Sequence, residues 1–550
     1  MFYSKDILII CQLLLTLTFY DIKKVQAGTL EIEVEHGWVR GRQMSNSLFA
    51  WSGIPYAKPP LGDLRFEPPQ ALNNWTGIWD ATYDRSQCVA VSTDHLLDSV
   101  IYPQGNEDCL YINVYTPRVP DTSNSLLPVM VWIYGGTFIG GNSSYALYGP
   151  DQLVSKEVIV VSFNYRLGIF GFLSTGDTVA PGNTGLKDQI FALKWIQKNI
   201  KAFGGNPNQV TIFGESAGAA SVSYLVLSPR TKGLFHRAIM ESGSALCLWA
   251  LSKTCRQAAN MTGYNLGIIA DTSKELVRQL KNVAMADLQR ASIAVMLTFF
   301  GIDPLNGLIF APVIEPLHDD AVITGASYEK LRLGNFNQVP QIIGYNSVEA
   351  VAAEGLVKVL SFFLVPDILP KRLVPASMNA NTIDLRPIGT RIKNFYTGGV
   401  GGMAFPSSNF VNYVSDNEFV RPIQATVNLT AQHADVYFYK FAYTRNSSAV
   451  GAGHGAELPF IFNSNFTTSD DNFIRSCITK LWASFATTGN PTSSGACNGV
   501  EWQTVAAADS TLPYLNIDRN VTLEENPDAS SMRFWINLFE EYSHPVLMTY

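Results

Sequence analysis

One pentapeptide limits what this 550-residue chain can become. It is Gly214-Glu215-Ser216-Ala217-Gly218, which follows the apolar run Val210-Thr211-Ile212-Phe213 and leads into the helix-prone stretch Ala217 to Leu227. A G-x-S-x-G between a strand and a helix is the setting of a sharp, strained turn that lifts a serine hydroxyl clear of the backbone. The two glycines permit the turn. The hydroxyl then stands at the head of a helix, whose positive end favours a developing anion. Ser216 is therefore the candidate nucleophile.

The rest of the chain offers the scaffold that such a turn needs. Thr29 to Arg40 reads as alternating strand residues around a His36-Gly37 turn. Val129 to Tyr134, Val158 to Tyr165, Ala238 to Glu241, Gln341 to Gly344 and Val436 to Phe441 read as short apolar strands. Asp188 to Phe203, Ile474 to Ala486 and Met532 to Tyr542 read as helices. Apolar, β-branched strands between helices predict an α/β fold: a large, mostly parallel central sheet covered by helices on both faces. No repeat, low-complexity block or linker divides the chain, so residues 28–550 are expected to form a single domain. Pro304 to His433 is less regular, as a pocket-lining insert would be.

Hydrophobic residues make up 47% of the chain and charged ones 15%, which supplies a large core and argues against disorder. The net charge of −7 argues against a nucleic-acid partner, which requires a basic face. Lys5, the apolar run Ile7 to Tyr20 and Val25-Gln26-Ala27 have the order of a secretory signal over residues 1–27. That run is short for a membrane span, which needs roughly 20 residues; a retained signal anchor is the alternative. Phe534 to Tyr550 carries Glu540, Glu541 and His544, unlike a lipid-anchor tail. The mature protein is thus expected to be secreted, with no integral membrane segment. Cys11 leaves with the signal, and six cysteines remain: Cys88, Cys109, Cys247, Cys255, Cys477 and Cys497. Their proximity favours neighbour pairing, and no His/Cys cluster reads as a metal site. Glycosylation sequons stand at Asn74, Asn142, Asn260, Asn428, Asn446, Asn465 and Asn520.

The stretch Phe203-Gly204-Gly205-Asn206-Pro207-Asn208-Gln209-Val210 through Gly218 resembles the signature of the type-B carboxylesterase/cholinesterase family. Glu107-Asp108-Cys109-Leu110-Tyr111-Ile112-Asn113-Val114 resembles that family's second signature. Ordered matches continue at Ile54 to Ala57, Leu64 to Phe66, Asn164 to Gly168, Asp188-Gln189 and Leu234 to Ile239. They cover nearly all of the mature chain, which looks most like an insect-type secreted carboxylesterase. The resemblance implies the α/β-hydrolase fold with its nucleophile elbow, and a serine esterase whose triad runs Ser, acid, His along the chain. It places the acid at Glu349, after Ile342 to Val348, and the base at His454, in the Gly-rich Gly451 to Pro459. Glu315, between Pro312 and Pro316, is the rival acid by position. His236 matches a structural position, and His36, His95, His318, His433 and His544 lack a motif.

Such chemistry needs donors for the tetrahedral oxyanion. The resemblance assigns these to the backbone N–H groups of Gly136, Thr137 and Ala217. The family usually has Gly-Gly-Gly-Phe where this chain has Gly135-Gly136-Thr137-Phe138. Threonine keeps its N–H, but a β-branched side chain resists positive φ and narrows the space beside the carbonyl. Thr137 is therefore expected to donate and also to shape acyl or alcohol specificity. The resemblance further implies disulfides Cys88–Cys109 and Cys247–Cys255, leaving Cys477 with Cys497. It also implies structural ion pairs between Arg65 and Glu107 and between Arg166 and Asp188.

Cholinesterases stack the quaternary ammonium of their substrate on a tryptophan, and the corresponding segment Asp98 to Gln104 has none. Juvenile-hormone-type esterases commonly carry Gln where this chain has Glu215. The expected substrate is a small, apolar, uncharged ester (an odorant, pheromone, hormone or xenobiotic). Trp249, Phe299, Phe300, Leu308 and Phe310 are candidates to line its gorge. No metal or cofactor is implied, and a homodimer through the C-terminal helix is admissible. The alternative is an esterase-like binding or adhesion protein that keeps the fold and has weak or no chemistry, a reading that only Thr137 feeds.

Overall fold

The computed structural model describes residues 30–92, 103–121, 125–302, 305, 307–353, 368–399, 407–446, 448–495, 497–506 and 511–550. The signal segment 1–27 and most of the segment 98–104 lie outside them.

The core is one sheet of 13 strands. Its amino-terminal edge is antiparallel: β1 (Leu30–Val34), β2 (Gly37–Ser45), β3 (Leu48–Pro55) and β5 (Tyr111–Thr116) follow one another across the sheet, with β4 (Ile78–Asp80) pairing beside β2. β5 joins β7 (Ile159–Phe163) antiparallel. From β7 the order runs through β6 (Leu127–Ile133), β8 (Gly205–Glu215), β9 (Arg237–Glu241), β10 (Gln341–Asn346), β11 (Val436–Phe441) and β12 (Pro513–Ile517), all parallel. β13 (Thr522–Glu525) closes the far edge antiparallel. Every residue of β6, β7, β9 except Arg237, and β10 is buried, so these strands are covered on both faces.

The major helices are α1 (Thr184–Asn199), α2 (Ala217–Leu227), α3 (Cys255–Asn265), α4 (Ser273–Lys281), α5 (Met285–Ile302), α6 (Leu385–Thr397), α7 (Ser407–Ser415), α8 (Arg421–Thr430), α9 (Ser469–Thr488) and α10 (Ala529–Tyr542). α2 is apolar all round and fully buried, as a helix between sheet and outer helices must be. The irregular stretch expected over Pro304 to His433 in fact holds β10, α6, α7, a π-helical turn at Asp416–Val420 and α8.

The expected ion pairs are formed and buried. Arg65 makes a two-pronged contact with Glu107 and donates through Nη1 to the carbonyls of Leu280, Lys281 and Val283. Arg166 donates its backbone N–H, Nε and Nη2 to Asp188, at 3.1, 2.8 and 2.7 Å. Disulfides join Cys88 to Cys109 and Cys477 to Cys497. The third expected bridge is a correction: Cys247 and Cys255 are separate thiols. Cys247 is buried beneath the turn Leu248–Ala250, its sulfur 3.7 Å from Ser244 Oγ, and burial holds its thiol well above the ordinary range. Cys255 instead stands half-exposed as the first residue of α3. The Cys247 sulfur is turned to Ser244 and Cys255 stands apart at the head of α3, so the two sulfurs do not meet.

Candidate active site

The predicted residues come from parallel strands of one sheet and lie at their carboxyl ends, where open α/β sheets place their sites. The loop Gly135 to Phe138 follows β6, Ser216 follows β8, Glu349 follows β10, and His454 lies on the loop after β11.

Ser216 has φ 58° and ψ −124°, a strained conformation for a side-chain-bearing residue. Its surroundings impose it. The Ser216 N–H donates to Glu241 O at 2.8 Å, and its carbonyl accepts from Ala220 N at 2.9 Å. The flanking glycine is obligatory for space: a Cβ on Gly218 would lie 2.0 Å from Ile133 O. Gly135 likewise lets the β6 loop approach the serine, since a Cβ there would come within 2.9 Å of Ser216 Cβ.

Glu349 is fully buried and uses both carboxylate oxygens. Oε1 accepts from Asn346 N and Oε2 pairs with His454 Nδ1, each at 2.7 Å. The two loops are sewn together by His454 N to Glu349 O at 3.1 Å, Asn346 Nδ2 to Gly453 O at 2.7 Å, and Val348 N to Ala452 O at 2.9 Å. The rival acid, Glu315, serves the scaffold, bound by Lys187, Asn183, His318 and the Val322 N–H. His236 exchanges hydrogen bonds with the Val210 backbone, a structural role.

Nε2 of His454 lies 3.0 Å from Glu215 Oε1, with no hydrogen bond to the Ser216 hydroxyl. The imidazole is thus held between two carboxylates. Burial by itself would lower its pKa. The charge of Glu215, then the hydrogen bond and charge of Glu349, outweigh burial and hold it up, at about 10. Burial pushes Glu215 up to about 7 against the pull of His454.

Two further carboxyls, missed in the sequence, complete a buried acidic cluster. Glu457 stands three residues after His454 and binds Asn346 Nδ2 at 2.5 Å. Burial, then the charges of Glu215 and Glu349, raise it to about 8. Glu241, at the end of β9, accepts from Trp482 Nε1 at 2.6 Å, and burial with the charge of Glu457 keeps it well above the usual carboxylate range. One oxygen of each lacks a hydrogen-bond partner. Both lie in segments already read as strand end and catalytic loop, so position was the available signal. Phe419 gave none: its ring stands 4.8 Å from that of His454, on the π-turn between α7 and α8. Trp249 reaches the site through it, at 5.7 Å, while Nε1 donates to Glu418 O at 3.0 Å. Phe310 is buried core, and Phe299 and Leu308 are half-buried against it. The side chain of Phe300 lies outside the described residues.

In the β6 loop, Gly136, Thr137 and Phe138 have φ of 108°, 54° and 59°. The β-branched Thr137 has therefore entered the left-handed region that its residue type resists. Neither the Gly136 nor the Thr137 N–H donates to another described residue, and that of Ala217 begins α2, where helix donors have no internal partner. Among the described residues, no His/Cys/Asp/Glu group is arranged to hold a metal ion.

A strained serine at a helix head, a carboxylate-held imidazole and unpartnered N–H groups at the strand ends define an α/β-hydrolase esterase. A model of the carboxylesterase family matches residues 28–535. A carboxylic ester hydrolase of Bombus ignitus is 33% identical over 518 residues, covering 88% of this chain and 89% of the relative. The juvenile hormone esterase of Tribolium castaneum is 34% identical, covering 83% and 82%. Among solved structures, the juvenile hormone esterase of Manduca sexta with OTFP covalently attached superposes with a TM-score of 0.81 at 28% identity, covering 93% of this chain and 99% of that one. A PNB esterase gives 0.74 at 30% identity, covering 92% and 99%. The chain belongs to the carboxylesterase family, and it is a carboxylic ester hydrolase.

Proposed function

We propose that the protein is a secreted serine esterase that acts on small uncharged esters through a Ser216–His454–Glu349 triad. The observation that carries this reading is that the strained Ser216 turn and the His454–Glu349 pair meet at the carboxyl ends of one parallel sheet, joined through Glu215 beside Ser216. His454 takes the proton from Ser216 as its Oγ attacks the ester carbonyl, and Glu349 holds the imidazole in orientation. The N–H groups of Gly136, Thr137 and Ala217 receive the oxyanion. The alcohol leaves with a proton from His454, and water then releases the acid from the acyl-enzyme by the same steps.

To take the serine proton, Nε2 must leave Glu215 and turn toward Ser216; catalytic hydrogen bonds tighten when substrate binds. Phe419 places its ring beside His454 and Trp249 stands behind it, apolar aromatic surroundings that suit an uncharged ester. Secretion accords with the signal segment, the two disulfides and the exposure of six of the seven sequon asparagines. Asn142 is the exception: it is half-buried, and its amide donates to Gln87 Oε1 at 2.8 Å, so it is the one not expected to carry glycan. No described helix is long and apolar enough to cross a membrane. Ile536, exposed on α10, offers a point for self-association as a homodimer.

The test is hydrolysis of a short-chain nitrophenyl ester by the secreted protein beside Ser216→Ala, with organophosphate labelling. Turnover and labelling that both vanish in the mutant are expected. A folded wild type with neither would replace this reading with a binding protein.

A further inference from the structure

Pro422 sits in the first turn of α8 and has no N–H. The carbonyls four and five residues before it, Glu418 O and Asn417 O, therefore receive no backbone bond from it. The backbone widens there into the π-turn Asp416–Val420, with the Arg421 N–H donating to Asp416 O. Side chains take the two carbonyls instead. Trp249 Nε1 reaches Glu418 O at 3.0 Å, and Arg421 Nη2 reaches Asn417 O at 3.2 Å and Asn417 Oδ1 at 3.0 Å. Asp416, Asn417, Glu418, Val420 and Arg421 are all buried. Phe419 alone among them is partly exposed, and its ring lies 4.8 Å from that of His454, itself partly exposed.

Arg421 is the costly member of this turn. It is 2% exposed, and a guanidinium leaves water only where other groups replace its hydration. Three rings do so: the centroids of Trp535, Phe539 and Tyr550 lie 5.2, 4.6 and 5.1 Å from its central carbon. At such distances an aromatic face attracts a cation. Trp535 and Phe539 belong to α10, and Tyr550 to the segment that follows it. That segment is itself fastened. The Tyr550 N–H donates to Leu246 O at 3.0 Å, and its ring packs on those of Phe539 and Tyr328 at 4.6 and 5.7 Å. The cage holds the guanidinium from outside the turn, and Nη2 carries that hold to Asn417, two residues before Phe419.

We propose that Arg421 is a positioning residue for the active site: its caged guanidinium locks the π-turn so that Phe419 stays beside His454 and limits the length of ester chain the site accepts. This role rests on the esterase reading above. Phe419 touches the ester; Arg421 does not, and acts through it. When the turn loosens, the ring leaves the imidazole and room opens for a longer chain.

The test is a double-mutant cycle on a ratio. kcat/KM is measured for nitrophenyl acetate and nitrophenyl octanoate, because a loss of folded enzyme lowers both alike and leaves their ratio unchanged. Phe419→Ala is expected to shift the ratio about 10-fold toward the octanoate. Arg421→Met keeps the stem and loses the guanidinium. It should shift the ratio the same way, by roughly 3- to 10-fold, and add nothing in the double variant with Phe419→Ala. Tyr550→Ala opens the cage without touching the turn and should give part of that shift, whereas Tyr550→Phe keeps the ring and the wild-type ratio. An unchanged ratio in Arg421→Met would overturn the proposal, as would a shift that adds to that of Phe419→Ala. If Arg421→Met does not fold, an unchanged ratio in Tyr550→Ala does the same. Hydrolysis that survives Ser216→Ala would overturn the underlying esterase reading instead.

Discussion

At the scale of single residues, His454 is the most heavily conditioned group in the protein. Glu349 orients it through Nδ1, and Glu215 attracts its other face. These charges raise the imidazole pKa, so the neutral form, the base of the proposed mechanism, is scarce until pH rises. Glu215→Gln removes one of the two charges and keeps the shape. The imidazole pKa should then fall, and the acid limb of kcat/KM against pH should move to lower pH. Maximal kcat should also drop, by roughly 10- to 100-fold, because the imidazolium formed at the transition state loses a charged partner. A limb that stays in place, or moves upward, would show that Glu215 does not hold the proton on His454. Glu241 and Glu457 belong to the same buried cluster.

At the scale of elements, the nucleophile turn works because β6, β8 and α2 touch there with no side chain between them. Ile133 O at the end of β6 faces Gly218 in the first turn of α2, so the helix can begin directly over the sheet. Gly218→Ala places a methyl group against that carbonyl, and neither side can yield without moving a strand. The substitution should cost at least about 1–3 kcal/mol in thermal or urea unfolding and abolish organophosphate labelling. Full labelling in a variant of unchanged Tm would mean the contact is softer than its geometry. The π-turn between α7 and α8 is the other element that shapes the site. Such turns recur at functional positions, and this one places Phe419 against the His454 imidazole.

At the scale of the molecule, the parallel core gathers loops from β6, β8, β10 and β11 at one end, and buried ion pairs fix the surrounding connections. Arg166, just after β7, binds Asp188 on α1 with both groups buried. Arg166→Met leaves the Asp188 carboxylate without its partner in the core. It should lower stability by about 3–5 kcal/mol in urea denaturation. A loss under 1 kcal/mol would show that water or Lys187 replaces the guanidinium.

Much of this arrangement was legible in the chain. Ala217 to Leu227 was read as the helix that forms, and Val436 to Phe441 as the strand that forms, because apolar periodicity and flanking turn residues are local signals. Ser216 announced itself through its glycines. Glu349 and His454 were located by motif resemblance. β3 and β5 were not read as strands, and the helices within Cys255 to Ile302 passed unnoticed. There, local pattern was weaker than the packing that fixed them.

The sequence by itself determined the strand-turn-helix at Ser216, the chain order of the candidate triad, and the departure at Thr137, since each depends on neighbours a few residues apart. Only the tertiary structure decided that Nε2 of His454 rests on Glu215, that Glu241 and Glu457 join the same buried cluster, that Cys247 faces Ser244 instead of Cys255, and that the Thr137 hydroxyl is left without a partner. Most of these depend on groups from separate strand ends meeting in a low-dielectric interior. All of them depend on where the fold turns each side chain, and neither distance nor burial is written in any local stretch of the chain.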